Sequence, residues 1–159
     1  MIKLKLIKET EKWLSENNLS ISSKDTERPW GAFWHISTES LNHFLELFFP
    51  DFNSQGLFIS PKILMVEANK KLSLQLHHKR SEKWHIVQGP VRVIAGDQDL
   101  ILNTGKDIIL KSEENHRLCG LENAGIVAEI WMHNNPSNPS NEDDIIRLED
   151  DFNRNSPTA

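Results

Sequence analysis

Between Lys62 and His133 the chain breaks into eight short β-type runs with no helical stretch between them. No other feature restricts the fold as much. The runs are Lys62–Ala68, Leu72–His77, Glu82–Gln88, Val91–Ala95, Leu100–Leu102, Asp107–Leu110, His116–Leu121 and Ile126–Met132. Gly89-Pro90, Gly96-Asp97, Asn103-Thr104-Gly105 and Ala124-Gly125 separate several of them, and such combinations form turns. Many short strands without intervening helices predict an all-β antiparallel sandwich or jelly roll.

The flanks have a different texture. Residues 5–18 read as a short amphipathic helix with Ile7, Trp13 and Leu14 on its buried side. The polar run Asn17 to Arg28 separates it from Pro29-Trp30-Gly31. A second helix is expected from Thr38 as N-cap, with Glu39 in the first turn. Leu41, Phe44, Leu45 and Phe48 follow at helical spacing until Pro50 ends the pattern, so this helix should cover an edge or mouth of the sheet. After a Pro-, Ser- and Asn-rich loop, Asn141 could cap a last helix that aligns Ile145, Leu148 and Phe152. The expected organisation is one folded domain. Residues 1–60 form a helical extension packed on a barrel, and residues 61–159 form the barrel with a C-terminal helix.

Composition narrows the function. A net charge of −5 over 159 residues argues against general nucleic-acid binding, because a phosphate backbone requires a basic face. A small phosphorylated ligand stays open, since a few local Arg or Lys groups suffice. Cys119 is the single cysteine, which points to a reducing compartment and excludes a Cys cluster for structural zinc. Charges interrupt the apolar N-terminal residues and no long apolar run follows, so neither a signal peptide nor a membrane span is expected. The expected location is cytoplasmic.

The segment Leu72 to Trp84 carries the chemistry. Side chains alternate along a strand, so Ser73, Gln75 and His77 share one face. Donors at i and i+2 start about 6.6 Å apart and can lean onto one ion. Glu82 would lie roughly 16 Å from His77 in a straight strand, so His78 to Ser81 must bend and place Glu82 on a neighbour. His116 opens a later strand and can return to the same pocket. Gln75, His77, Glu82 and His116 together make an N2O2 set suited to zinc and tolerant of manganese, iron, nickel or cobalt. Taken alone, Gln-x-His-x4-Glu is a weak pattern that more often describes a solvated sheet edge than a metal site. His78 and His85 fall on the opposite face. They read as surface or packing residues, as do His35, His43 and His133, and Cys119 reads as a small buried side chain.

Several segments in order resemble one family. The metal stretch, followed by Ile86-Val-Gln-Gly89 and Val91-Arg-Val93, resembles the cupin motif of type II phosphomannose isomerases. Asn115-His-Arg-Leu118 with Glu122-Asn123, and Glu142-Asp-Asp-Ile-Ile-Arg147 with Glu149-Asp150 and Arg154, resemble that family's later motifs. Arg28-Pro-Trp-Gly31 resembles the segment that introduces the domain. The resemblance implies a cupin jelly-roll barrel standing alone, without the guanylyltransferase domain of the larger members. It also implies one divalent metal and reversible interconversion of mannose 6-phosphate and fructose 6-phosphate. The chain departs from the family at Ala68-Asn69 (in place of Pro-Gly), at Ile130-Trp131 (in place of Val-Gln), and in its long Ser37–Ser60 segment. A seven-carbon phosphosugar is therefore an alternative substrate. A non-catalytic sugar-binding cupin and a different metal enzyme, such as an oxygenase, are alternatives of other classes.

Roles for an isomerase follow as expectations. The four ligands hold the metal against the C1 and C2 oxygens, and Lys62, on one face with Leu64 and Val66, serves as acid or base. A lysine at a strand start could equally face water. Arg117 and Arg80 are expected to hold the phosphate, although strict alternation turns Arg117 away from the metal. Ser73 would hydrogen-bond a sugar hydroxyl. Arg28, Trp30 and Arg147 are expected to tie the flanking segments to the barrel. A homodimer through sheet edges is expected by analogy.

Overall fold

The computed structural model describes residues 2–154. It begins with helix α1 (Ile2–Glu16), followed by strands β1 (Ile21–Asp25) and β2 (Gly31–Ile36). A 3₁₀ turn (Thr38–Ser40) leads into helix α2 (Leu41–Phe48). The rest is β-structure: β3 (Ile59–Val66), β4 (Leu74–Leu76), β5 (Arg80–Gln88), β6 (Val91–Ala95), β7 (Gln98–Leu102), β8 (Asp107–Leu110), β9 (His116–Gly120), β10 (Gly125–His133) and β11 (Ile146–Glu149). One sheet has the order β1-β2-β3-β10-β5-β8 and the other β11-β4-β9-β6-β7. The paired strands are antiparallel. The all-β expectation holds, with the two sheets facing each other in a cupin jelly roll.

Helix α1 ends where Asn18 adopts a left-handed conformation (φ 57°). Leu19 N–H then donates to Leu14 O and Asn18 N–H to Ser15 O, a Schellman arrangement that satisfies the last carbonyls. Leu14 of the helix and Leu19 just beyond it pack with Trp34, Phe44, Phe48, Ile63, Met65 and Ile130, forming an apolar layer outside the larger sheet. Thr38 does not cap α2. The turn it opens has no side-chain cap bond, and Ser40 Oγ accepts instead from the backbone N–H of Ser20 at 3.1 Å.

Two expectations about the flanks are corrected. The segment before residue 60 is more than helices, because β1 and β2 extend the larger sheet. Gly31 permits this. A Cβ there would collide with the Met65 carbonyl, and its φ of 155° is one that side-chain-bearing residues rarely adopt. The C-terminal segment forms no helix over residues 141–152. Turns lead into β11, which pairs with β4 through Ile146↔Leu76 and Arg147↔Gln75. Asp144 draws the backbone away from helix, its carboxylate accepting the N–H groups of His78 and Lys79 at 2.9 and 3.0 Å.

A second apolar cluster fills the space between the sheets, with Phe33, Leu64, Leu72, Trp84, Ile86, Val93, Leu118 and Val127 among its members. The polar site sits at one end of this interior. Among the described residues no helix is long and apolar enough to cross a membrane.

Candidate metal centre

Two facing sheets bring the expected ligands together. Gln75 on β4 lies directly opposite His116 on β9. His77 follows the end of β4, and Glu82 enters from β5 in the other sheet. His77, Glu82 and His116 are each 2% exposed, and one ligand atom from each lies within 4.8 Å of the others. The two oxygens of Glu82 divide between the imidazoles: Oε2 is 3.4 Å from His77 Nε2, and Oε1 is 3.5 Å from His116 Nε2.

The imidazole tautomers follow from their outer partners. His77 Nδ1 lies 2.6 Å from Asp144 O and His116 Nδ1 lies 3.3 Å from Glu114 O. A carbonyl only accepts, so both Nδ1 atoms carry the hydrogen and both Nε2 lone pairs point inward. Glu82 Oε1 and His116 Nε2 are buried with no hydrogen-bond partner. Acceptors converging without donors are costly unless a cation lies among them, and a divalent ion fits that need. The fourth expected ligand, Gln75, presents its amide Nε2 3.3 Å from His77 Nε2 while Ser73 Oγ donates to its Oε1 at 2.7 Å. A hydroxyl donates or accepts, so Ser73 supports the reversed amide as well, which would offer Oε1 to an ion.

Electrostatics suit ligation. Burial pushes His77 down to about 3 and lowers His116 as well, so both stay neutral near neutral pH. Burial opposes ionisation of Glu82, but the Arg80 guanidinium and the two imidazoles together outweigh it and hold the carboxyl well below its usual range.

The other expected residues are placed unevenly. Arg80 is buried and already engaged. Its Nε donates to Glu82 Oε2 at 2.7 Å, Nη1 to Ser140 Oγ at 2.7 Å, and Nη2 to His77 Nε2 at 3.1 Å. It lies 3.7 Å over the Trp131 ring. Ligation by His77 requires the Nη2 bond to yield. Arg80 is thus a clamp on the ligands rather than an arm extended to a phosphate. Arg117 does not line the cleft. Its Nε donates to Leu72 O at 2.7 Å and its Nη atoms to Glu149, so it ties the tail to β9, as alternation requires. Ser73 is fully buried against Gln75 and does not reach the cleft surface. Lys62 points inward, its Nζ donating to Glu142 Oε2 at 2.7 Å and lying 4.0 Å over Phe33.

Sequence reasoning missed three features. Glu129 is buried beside Glu82 and accepts from Trp84 Nε1 at 2.6 Å and Trp131 Nε1 at 2.7 Å. Burial, reinforced by the Glu82 charge, pushes its carboxyl up to about 8, so it holds its proton beside the ligands. Parity with Val127 on an otherwise apolar strand was the available signal. Glu142 is the second. Burial disfavours its charge, but Lys62 and His35 outweigh this and hold the carboxyl well below the usual range. His35, expected to be a packing residue, thereby belongs to the site, with Nε2 2.8 Å from Glu142 Oε2. The third is the placement of Arg28 and Arg147, which line the cleft together with Arg154.

Known proteins bear on this geometry. Residues 52–150 match the family profile described as mannose-6-phosphate isomerase C-terminal. Xanthan biosynthesis protein XanB of Xanthomonas campestris pv. campestris is 30% identical over 127 residues, covering 80% of this chain and 23% of the relative. Mannose-1-phosphate guanylyltransferase 2 of Escherichia coli O157:H7 is 27% identical over 139 residues, covering 87% and 25%. Alginate biosynthesis protein AlgA of Pseudomonas aeruginosa is 28% identical over 132 residues, covering 83% and 23%. The chain thus spans about a quarter of the length of these curated relatives. Among solved structures, KdgF from Halomonas sp. superposes with a TM-score of 0.52 at 12% identity, covering 72% of this chain and 89% of that one, a likeness of fold. The family profile carries an isomerase's name, but these relatives are named for guanylyl transfer and polysaccharide biosynthesis. They overturn the expected interconversion of mannose 6-phosphate and fructose 6-phosphate.

Proposed function

This chain belongs to the mannose-6-phosphate isomerase C-terminal family of cupin domains, and we propose that it is a metal-dependent binding module for a hexose phosphate. The observation that carries this reading is the buried convergence of His77, Glu82 and His116, with Glu82 Oε1 and His116 Nε2 lacking partners. Zinc suits two imidazoles and a carboxylate, with Gln75 available as a fourth oxygen donor. A bound divalent ion would supply a Lewis-acidic centre for the vicinal hydroxyls of a sugar.

The chain's own residues do the rest. Asp144 O and Glu114 O orient the two imidazoles, and Arg80 holds the Glu82 carboxylate in place. Trp84 and Leu64 wall the cleft and exclude water, while Glu129 holds a proton beside Glu82. Five cationic side chains line the cleft against three carboxyls, and Glu129 stays neutral up to about 8. That local surplus, in a chain of net charge −5, favours an anionic ligand. Mannose 1-phosphate, the sugar in the names of several relatives, is the ligand of choice for a test.

The experiment is elemental analysis of the purified chain, followed by titration calorimetry with mannose 1-phosphate before and after chelation. About one equivalent of metal and loss of sugar-phosphate binding on chelation are expected. Unchanged affinity in the chelated protein would overturn the reading.

A further inference from the structure

We infer that helix α1 and the groove beside it form a self-association surface, covered by the α1 of a second copy of this chain lying antiparallel to the first. The surface belongs to the outer side of the larger sheet, so it does not rest on the hexose-phosphate reading of the interior.

Helix α1 is fixed along one side. Thr10 and Leu14 are buried toward the sheet. Glu11 accepts from Lys24 Nζ at 2.6 Å and from Trp34 Nε1 at 3.0 Å, and Lys3 Nζ donates to Arg28 O at 2.7 Å. The flank bearing Leu6, Glu9 and Trp13 instead borders an open groove of about 380 Å³, floored by Met65, Val87 and Ile126. Leu6, Trp13, Val87 and Ile126 are only partly buried. One turn before Leu6 on the same flank, Ile2 is 80% exposed. A concave strip of apolar surface of this kind suits the apolar face of another helix.

The charged rim of this flank selects which helix. Lys5, Glu9, Lys12 and Glu16 follow at i, i+4, i+7 and i+11, which keeps them on one stripe beside Ile2, Leu6 and Trp13. Their order is lysine, glutamate, lysine, glutamate. Read from the other end it is glutamate, lysine, glutamate, lysine, so the stripe complements its own reverse. An antiparallel copy sets Lys5 against Glu16 and Glu9 against Lys12, each twice, around a two-fold axis. The same register brings Leu6 of each helix within a turn of Trp13 of the other. A parallel copy in register sets like charge against like at all four positions.

The four charges remain open to such partners. Within the chain they form two loose pairs, Lys5 with Glu9 at 3.8 Å and Lys12 with Glu16 at 3.7 Å, and all four side chains are more than half exposed. An ammonium has three hydrogens and a carboxylate two oxygens, so each group can serve a pair on either helix. Exposed ion pairs contribute little attraction of their own. They set direction and register, while the apolar groove supplies the driving force.

The test is sedimentation of the full chain over a concentration series, with two charge-reversed variants. Lys5→Glu with Lys12→Glu makes the stripe wholly acidic, and Glu9→Lys with Glu16→Lys makes it wholly basic. Wild type should dimerise. Each variant alone should dimerise at least about tenfold more weakly, and an equimolar mixture of the two should recover association as a heterodimer. Wild type that stays monomeric at roughly 100 μM would overturn the inference. So would undiminished dimerisation of both variants, or a mixture that does not recover. If a variant does not fold, zero-length carbodiimide cross-linking of wild type serves instead. Lys5 and Glu16 lie roughly 16 Å apart along one helix, too far for such a link within a chain, so a Lys5–Glu16 cross-link should appear between chains. Its absence from the cross-linked dimer would refute the antiparallel pairing.

Discussion

Strands β2, β3 and β10 are buried on both faces, yet the two faces carry different chemistry. Toward α1 and α2 they present Ala32, Trp34, Ile63, Met65, Ala128 and Ile130, all apolar side chains. Toward the barrel interior the same strands present Phe33, Leu64, Val66 and Val127 at one end. At the other end they present His35, Lys62 and Glu129. The register explains this division. Lys62 stands opposite both His35 and Glu129, and Glu129 stands opposite Trp84, so an inward-facing polar row crosses four strands. The outer face is held by burial, with Trp34 Nε1 donating to Glu11 Oε1 at 3.0 Å. The inner face tolerates charge because nearly every buried ion has a partner, the unmatched acceptors lying where a cation belongs.

The contrast can be broken by exchanging the expected phenotypes. The largest effect should come from His77→Ala, which removes a ligand. Metal affinity should fall by more than the roughly 10–100-fold typical of an outer partner, as read by elemental analysis after dialysis. Full metal retention would remove His77 from the centre. Phe44→Ala, in the outer layer, should instead cost about 3–5 kcal/mol in urea denaturation and leave metal bound per folded molecule unchanged. A parallel loss of metal there would erase the distinction between the faces.

Proton linkage sharpens it further. In metal-free protein Glu129 keeps its proton up to about 8, whereas an unfolded glutamate releases it near 4.5. The folded state binds the extra proton across that window, so stability falls as pH rises through it. Glu129→Gln should flatten this decline between pH values of about 4.5 and 8. Parallel slopes in variant and wild type would contradict the assignment. His77 has the opposite sign. Its value of about 3 against an ordinary 6.5 means stability is full above the latter and drains as pH falls toward the former. The smallest effect should come from Ser73→Ala, which frees the Gln75 amide and should weaken metal affinity about tenfold without moving the melting transition far.

Legibility followed the strength of local patterns. Val91–Ala95 and Asp107–Leu110 have the boundaries read from their sequence, because turn residues bracket them. Strand β1 was invisible because its residues are largely exposed and polar, so only the backbone ladder with β2 defines it. Strand β2 is apolar on both faces and lacks the alternation that marks a half-buried strand. The spacing of Ile145, Leu148 and Phe152 imitated a helix face, but Leu148 is 56% exposed and the segment is a strand. Of the site, strand parity brought Gln75, His77, Glu82 and Lys62 inward. It also warned that Arg117 would turn away, and it does.

The linear order of residues determined the all-β class, the alternation that sorts inward from outward side chains, and the donor types available to a metal. The tertiary structure alone decided which carboxylates keep their charge, that Arg80 clamps the ligands, and that three distant arginines meet at one cleft. Alternation is a local property of the extended backbone. Ionisation and convergence depend on burial and on neighbours more than a hundred residues away, as with His35 and Glu142, and no local window of sequence contains them.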